Sequence, residues 1–320
     1  MCWEAYLARE KEGTDMLGDF LVVASSVVTL FFMMGVGFFF GKRGMLYSDT
    51  LSQLSRLLLT VVCPCTVINA LQVERSTQLL AGMGQALLLV AVSYVVFGGA
   101  AHFLFPRQSA PTRAALRFGT VYGNVGFMGL PLVMSVLGEG AVPYCAMGIA
   151  VFNVANWTHG VTVMGQKGSL RRAVLNPGVI GFAIAMALFV GGVALPGPVR
   201  SAVEYISGLN TPLAMVVIGG QMAGADLAAT FRAGRLYGAA ALKLVVMPLV
   251  TIVALFPLGL DPMMYLTLVI LAGCPTAGTT SMFCQMFGQD TASAAQLVTL
   301  STLLSMVTLP MVALLAQMVC

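Results

Sequence analysis

The sequence predicts an all-α polytopic membrane protein with ten transmembrane helices, arranged as two inverted five-helix repeats. Three observations predict this fold class. Of the 320 residues, 58% are hydrophobic and 9% charged, with a mean hydropathy of +0.92, whereas roughly one quarter of a soluble domain is charged. The apolar residues form ten stretches close to the length of about 20 residues that crossing a bilayer requires. Interruptions containing glycine and proline recur at matched positions in the two halves.

The ten stretches define the elements in order. Dividing the chain at its charged and Gly/Pro-rich joints predicts spans over residues 20–41, 50–71, 79–105, 115–137, 141–164, 177–194, 201–221, 233–256, 263–287 and 291–317. The first repeat is therefore 20–164 and the second is 177–320. Residues 1–19 are an acidic, polar tail, and residues 165–176 are a short linker between the repeats.

The basic residues predict the orientation of the chain. Only Arg75 and Arg200 lie on one set of alternate joints. The other set carries Lys42, Arg43, Arg56, Arg107, Arg113, Arg117, Lys167, Arg171, Arg172, Arg232 and Arg235. By the positive-inside rule the second set, which includes the linker, is cytoplasmic, and both termini are extracytoplasmic. The net charge of +4 is too small and too scattered to predict a nucleic-acid partner.

Corresponding prolines support the internal repeat. The second stretch contains VVCPCTVINALQ and the seventh contains GLNTPLAMVVIGGQ, so each places one proline in mid-span. From Pro64 to Pro131 is 67 residues, and from Pro212 to Pro275 is 63. Because each half has an odd number of spans, the second half enters the membrane from the opposite side, as in transporters with inverted repeats.

The fourth and ninth stretches are each interrupted, by GNVGFMGLP at 123–131 and by AGCPTAGTTSMF at 272–283. Irregular backbone at membrane depth is tolerated only where it is buried in protein or lines a cavity, and paired broken helices indicate a transporter's binding site. Pro131 and Pro275 each suit the first position of a new half-helix. The free N–H groups and positive dipole ends of these half-helices predict an anion site near the midplane.

An alternative is that these glycines only permit close helix packing, with proline as a kink. On the binding-site interpretation, the substrate-binding residues are Asn124, Gly126, Pro131, Asn153, Asn156, Pro275, Thr276, Thr279 and Thr280.

Polar residues inside the other spans are further candidates, because ionisable groups in lipid usually serve function. Asn153, Asn156 and His159 share one face of the fifth helix, and the two asparagines are predicted to contact the broken segments. His159 is either a substrate or proton contact or a packing residue. Lys243 either attracts an anion, replaces a bound cation, or extends to the inner interface. His102 is placed at an interface, without a role.

Several chemistries are absent from the sequence pattern. No Asp or Glu lies deep in a predicted span, so a carboxylate proton relay is not expected. Cys63-Pro64-Cys65 has no histidine or carboxylate nearby, which argues against a metal site. No catalytic grouping and no P-loop is found, so the chain is not predicted to be an enzyme. No cofactor is expected, although backbone carbonyls of broken helices could hold a sodium ion.

These motifs resemble the auxin efflux carrier family, which includes the plant PIN-FORMED carriers and bacterial malonate or organic-acid permeases. The resemblance covers roughly residues 20–317. Its most specific parts are Asn124 seven residues before Pro131 in GNVGFMGLPL, and the run CPTAGTTSMFCQMFGQD that ends at Asp290. The segment LVTLSTLLSMVTLPMVALL is similar to the family's last helix.

The resemblance implies that the broken fourth and ninth helices cross each other and that the protein works by an elevator motion. Helices three to five and eight to ten would form the transport domain, and helices one, two, six and seven a scaffold through which a homodimer forms. At Thr279 many relatives have asparagine, and a hydroxyl offers one donor where an amide offers two. The long central loop of plant members is missing here, which favours a bacterial inner (plasma) membrane protein.

The predicted function is a secondary transporter of organic anions, carboxylates similar to malonate or auxin, in the lipid bilayer. The alternatives are a sodium-coupled symporter resembling the bile-acid symporters, a membrane receptor that binds without transporting, and a channel.

Overall fold

The computed structural model describes residues 16–73 and 76–319. Within these residues every regular element is a helix, and the β-type contact is an isolated antiparallel bridge between Gly123 and Thr276. The prediction of an all-α fold is therefore confirmed. The first helix begins at Met16, four residues before the predicted span, and residues 1–15 of the predicted tail lie outside the described residues.

The described residues form fourteen main helices. In chain order they are α1 (Met16–Lys42), α2 (Ser48–Ala70), α3 (Thr77–Ala101), α4 (Ala110–Val121), α5 (Val125–Leu137), α6 (142–163), α7 (Leu170–Val174), α8 (Pro177–Gly191), α9 (Gly197–Ala223), α10 (Leu227–Arg232), α11 (Gly234–Leu258), α12 (Pro262–Gly273), α13 (Thr279–Met286) and α14 (Thr291–Val319).

Six helices in the described part of the chain are long and apolar enough to cross a membrane: α1, α2, α3, α9, α11 and α14. Three shorter helices, α5, α8 and α12, are also apolar. The outward-facing side chains of the long helices are largely hydrophobic, as shown by Phe32 on α1 and Val95 on α3. This surface suits lipid rather than water, so the protein is a multi-pass membrane protein.

Both predicted interruptions are present in the structure. Residues 122–124 separate α4 from α5, and residues 274–278 separate α12 from α13. The two predicted spans are therefore each made of two half-helices that meet at an irregular segment.

Wide, π-helical turns precede three of the prolines within helices. They cover Leu58–Val62 before Pro64, Val125–Gly129 before Pro131, and Leu242–Val246 before Pro248. A proline lacks the N–H that bonds the carbonyl four residues earlier, and its ring clashes with that carbonyl. An extra residue in the turn moves the carbonyl away, so the helix continues through the proline.

Helices α1, α2, α8 and α9 pack against one another, and this set is called the scaffold group. Gly37 of α1 lies against the backbone carbonyl of Val216, and Gly219 of α9 lies against the carbonyl of Met34, so a Cβ at either glycine would collide with backbone. Small residues that let helix backbones approach are a common basis of packing in membranes.

Helices α3, α4, α5, α6, α11, α12, α13 and α14 form a second packed set, called the crossover group. It contains both interruptions. The two groups meet where α1 and α9 pack against α5, where α1 packs against α14, and where α6 packs against α8 and α2. Buried residues of these helices, such as Met34 on α1 and Leu309 on α14, belong to one apolar core.

The glycine contact between α1 and α9 generates a stability prediction. Gly219→Ala should destabilise the protein by about 1–3 kcal/mol, because backbone cannot move aside as a flexible side chain does. Gly35→Ala on α1 is the matched control, since nothing lies within 4 Å of a Cβ built there. Thermal melting in detergent measures both variants. Equal melting temperatures for the two variants would contradict the close-packing explanation.

Candidate functional site

The two interruptions are paired with each other through their backbones. The N–H of Asn124 donates to the carbonyl of Pro275 at 2.7 Å, and the N–H of Ala277 donates to the carbonyl of Tyr122 at 2.9 Å. Gly123 and Thr276 face each other between these two bonds as an antiparallel bridge. Each break therefore satisfies polar groups that the other has released from helix, which apolar surroundings require.

Side chains hold this pairing in place. The hydroxyl of Thr276 donates to the carbonyl of Gly119 at 2.8 Å, and the N–H of Thr276 donates to the hydroxyl of Ser301 at 3.1 Å. Both Thr276 and Ser301 are fully buried. Thr276, a predicted substrate-binding residue, thus uses its hydroxyl hydrogen to connect the second break to α4.

Asn124 caps the second half of the first broken helix. Its side-chain oxygen accepts from the N–H of Phe127 at 3.2 Å, and its backbone carbonyl accepts from Met128 and Gly129. An asparagine at this position is a favoured N-cap. Among the described residues, nothing accepts a hydrogen bond from the Asn124 side-chain nitrogen, so its two amide hydrogens are available.

Gly126 lies beside this cap, at the N-terminus of α5. The capping bonds engage the N–H groups of Val125, Phe127, Met128 and Gly129, and the N–H of Gly126 takes part in none of them. A Cβ added at Gly126 would meet nothing within 4 Å. The backbone therefore faces open space at the end of the helix where the dipole is positive.

The predicted positions of the two prolines are partly wrong. Pro275 does not start a half-helix, because α13 begins at Thr279 and Pro275 lies in the irregular segment, where its carbonyl accepts from Asn124. Pro131 does lie in the first turn of a regular helical segment, Leu130–Leu137, but the wide turn places the N-terminus of α5 at Val125. Asn124, rather than Pro131, therefore defines this helix end.

The start of α13 carries two buried hydroxyls without partners. Thr279 and Thr280 each have a side-chain oxygen that forms no hydrogen bond within the described structure, and Thr280 is completely buried. The side-chain oxygen of Gln221, on α9 of the scaffold group, lies 3.5 Å from a Cβ built at Gly278. Leaving buried hydroxyls without partners costs free energy, so these two hydroxyls are candidates to hydrogen-bond a bound ligand.

The structure separates the three polar residues of α6. The amide of Asn153 donates to the carbonyl of Ile149 at 2.9 Å and lies beside Gly178 of α8, away from the paired breaks. Asn156 is buried, and its side-chain oxygen has no partner among the described residues. His159 contacts the Tyr122 hydroxyl through its Nδ1 at 2.9 Å, so the first break is linked to α6 through Tyr122.

Tyr122 is a site residue that the sequence analysis missed. Its side chain is fully buried, its hydroxyl donates to the carbonyl of Ala155 at 2.9 Å, and its ring stacks on Tyr94 at 5.6 Å. The ring of His159 also lies 5.5 Å from that of His102, which is exposed at the C-terminal end of α3. The position of Tyr122 directly before GNVG was the available signal, but an aromatic residue in a membrane span is usually packing.

Lys243 reaches the paired breaks from α11. Its ammonium donates to the carbonyl of Ala272 at 2.9 Å, near the C-terminus of α12, and it lies 2.9 Å from a Cβ built at Gly123. The side chain is only 3% exposed. The ammonium therefore points into the crossover group rather than toward a membrane interface.

Asp290, the last residue of the motif CPTAGTTSMFCQMFGQD, caps α14. Its carboxylate accepts from the Thr112 hydroxyl at 2.7 Å, and from the Ser293 hydroxyl at 2.6 Å and N–H at 2.9 Å. Arg235 of α11 donates to the same Ser293 hydroxyl at 2.9 Å. The network connects the first turns of α4, α11 and α14, so it stiffens the crossover group at one end.

The pKa of Asp290 reflects two opposing effects. Burial raises it, but the hydrogen bonds from Ser293 and Thr112, together with the charge of Arg235, outweigh burial and lower the pKa below its ordinary value. The carboxylate is therefore held in its charged form.

No three His, Cys, Asp or Glu side chains among the described residues come together as a ligand set. The Cys63 thiol donates instead to the side-chain oxygen of Asn210 at 3.4 Å, between α2 and α9.

Helices broken in mid-span, paired through backbone and carrying unpartnered polar groups, define a membrane transport protein rather than an enzyme. The family described as "Membrane transport protein" matches residues 22–169 and 161–313. The chain belongs to this family, the auxin efflux carrier family that its motifs resemble. It is also 31% identical over 240 residues to the "Putative malonate transporter" of Rhizobium meliloti (strain 1021), covering 68% of this chain and 72% of that protein.

The threonines of the second break provide a paired test of the site's architecture. Thr276→Val removes the donor to Gly119 and should destabilise the protein by about 1–3 kcal/mol, because a buried carbonyl loses its partner. Thr280→Val makes the same change where the hydroxyl has no partner, so its melting temperature should equal or exceed that of the wild type. Similar losses in both variants would show that the two hydroxyls are equally engaged.

The Asp290 network generates a pH prediction. Since the folded-state pKa of Asp290 is lowered, its stabilisation is complete above the unfolded-state pKa of about 4 and is lost as the pH falls through the folded-state pKa. Asp290→Asn should lower the melting temperature at neutral pH and weaken its acid dependence. Asp226→Asn is the control, because that N-cap carboxylate accepts one backbone N–H, from Ala229. An unchanged acid profile in Asp290→Asn would contradict the assignment.

Proposed function

We propose that this protein is a secondary transporter of organic anions, with the paired breaks as its substrate site. The observation that carries the proposal is the set of unpartnered polar groups there: the amide hydrogens of Asn124, the N–H of Gly126 and the hydroxyls of Thr279 and Thr280. A transporter's substrate site is expected at such discontinuous helices. The similarity to a protein named as a malonate transporter supports a carboxylate substrate.

In the proposed binding mode, the N-terminus of α5 binds the charge of the substrate and the start of α13 sets its orientation. A carboxylate at the N-terminus of α5 would meet the positive end of the helix dipole, the N–H of Gly126 and the amide of Asn124. The Thr279 and Thr280 hydroxyls would orient the remaining polar groups of the substrate. The open space at Gly126 supports this arrangement, because a side chain there would occupy the carboxylate's position.

We also propose ten membrane crossings in two inverted repeats, 20–164 and 177–320, with both termini extracytoplasmic in the plasma membrane. Four of these crossings would be made by the broken pair α4–α5, by α6, by α8 and by the broken pair α12–α13. The matched positions of the two breaks support the repeat. The distribution of basic residues supports the orientation.

Transport would follow an elevator motion in which the crossover group slides against the scaffold group. Hydrogen bonds such as those around Asp290 hold the crossover group together, and glycine contacts hold α1 to α9. The contact between the groups is largely apolar, which favours sliding because few directional bonds must break. We further propose a homodimer through the scaffold group, supported by the family resemblance.

The decisive experiment is counterflow in proteoliposomes loaded with unlabelled carboxylates, from malonate and malate to indole-3-acetate. Accumulation of labelled substrate against one of these would establish carrier-type exchange. Binding without exchange would favour the receptor alternative, and conductance without saturation would favour a channel.

Asn124→Ala should reduce counterflow by about tenfold or more, because hydrogen bonds to a charged group contribute roughly 1.5–3 kcal/mol. Asn153→Ala is the matched control, since that amide bonds Ile149 and lies beside α8, so exchange should be retained. Melting temperatures of both variants separate lost binding from lost folding, since Asn124 also caps α5. Normal exchange by Asn124→Ala would exclude the site.

A further inference from the structure

Lys243 is a buried cation whose hydrogen bond in the described part of the chain goes to a backbone carbonyl rather than to a carboxylate, and the thiol of Cys274 is a further neighbour. Its side chain is 3% exposed, and its ammonium donates to the carbonyl of Ala272 at 2.9 Å. The ion pair found in the described part of the chain joins Arg200 to Glu204, at the surface. Burying a charge without a counter-ion is expensive unless dipoles replace the lost water. The charged form of Lys243 therefore depends on the backbone dipoles that lie against it.

The C-terminus of α12 provides part of that environment. This helix ends at Gly273, and its last carbonyls carry the negative end of the helix dipole. In transporters with discontinuous helices, such half-helix C-termini and unwound carbonyls coordinate the coupling cation. The Lys243 ammonium occupies this kind of position, at the entrance to the second break.

Gly123 of the first break makes room for the ammonium. A Cβ built at Gly123 would lie 2.9 Å from the Lys243 nitrogen and 3.2 Å from the carbonyl oxygen of Cys274. Backbone of the first break therefore lies against the ammonium, as does the carbonyl of Ala272 near the end of α12.

A cavity of about 50 Å³ adjoins the lysine, enough for a few water molecules. Its lining is mainly apolar, and it includes the hydroxyl-bearing side chains of Ser93 on α3 and Thr251 on α11 together with Lys243. Their hydroxyls donate to the carbonyls of Leu89 at 2.8 Å and Met247 at 2.9 Å. Each hydroxyl oxygen thus keeps lone pairs free to accept, and oxygen acceptors of this kind suit a small, hard cation.

We propose that the Lys243 ammonium is a tethered cation that takes the place of a dissociable monovalent cation, such as sodium, beside the substrate site. The residue belongs to α11 and so stays with the paired breaks throughout the proposed motion. Transport would then need no sodium, which selects against the sodium-coupled alternative. The prediction that transport needs no sodium rests on the proposed function. The prediction that the Lys243 ammonium fills a cation site does not.

The test removes the tether and supplies a free cation. Lys243→Ala deletes the ammonium and enlarges the adjoining cavity. In detergent with choline chloride, Lys243→Ala should melt well below the wild type. When sodium chloride or n-propylammonium chloride replaces choline chloride, the melting temperature of Lys243→Ala should rise saturably by about 3 °C. The wild type and Lys167→Ala, which loses an exposed lysine of the linker, should melt equally in all three salts.

Lys243→Met keeps the volume without the charge, so it should be destabilised and should not respond to either small cation. If Lys243→Ala cannot be purified, Lys243→Gln, which keeps a donor for Ala272 but no charge, is compared in the same salts and should also melt below the wild type. Wild-type stability in Lys243→Met or Lys243→Gln, or an absence of any small-cation response in Lys243→Ala, would overturn the proposal.

Counterflow provides the second readout. Wild-type exchange should be the same in sodium and in choline, and exchange by Lys243→Ala should be lost in choline and partly restored by sodium or n-propylammonium. Sodium-dependent exchange by the wild type would overturn the inference. If the wild type exchanges no carboxylate at all, the proposed function fails, and the melting measurements still decide whether Lys243 fills a cation site.

Discussion

The backbone pairing of the two broken helices is the constraint on which the site depends. Ending a helix inside an apolar environment releases N–H and carbonyl groups that water cannot satisfy. Here the bonds from Asn124 to Pro275 and from Ala277 to Tyr122 satisfy several of them mutually. The neighbouring residues follow from this pairing. Gly123 must lack a side chain, Thr276 must be small and polar, and Asn124 must cap the helix that follows.

The same constraint explains why some polar groups are left for a ligand. The pairing and the caps satisfy backbone groups that the breaks release. The side chains at the breaks add polar groups that nothing in the described structure engages, namely the Asn124 amide hydrogens and the hydroxyls of Thr279 and Thr280. A substrate that completes these bonds replaces a cost already present in the protein, which is a physical reason for specific binding.

Prolines and wide turns solve a related problem elsewhere in the fold. Before Pro64, Pro131 and Pro248 the helix widens by one residue, which accommodates the missing N–H without ending the helix. At Pro275 no such turn precedes the proline, and the chain leaves the helix altogether. Proline therefore occurs both inside continuous helices and in a break, and the difference lies in what the neighbouring segments offer as hydrogen-bond partners.

The sequence by itself determined the membrane setting, the all-α class, the positions of both interruptions and the family, because these depend on composition, apolar length and local glycine and proline content. Only the tertiary structure decided which groups those interruptions engage. It placed Pro275 inside a break, turned Asn153 toward α8, brought Tyr122 against His159 and set Lys243 on the carbonyl of Ala272. These contacts join residues that are mostly far apart in the chain, and their geometry comes from how the helices pack. A periodicity shows which residues share a helix face, but it does not show which neighbour that face meets.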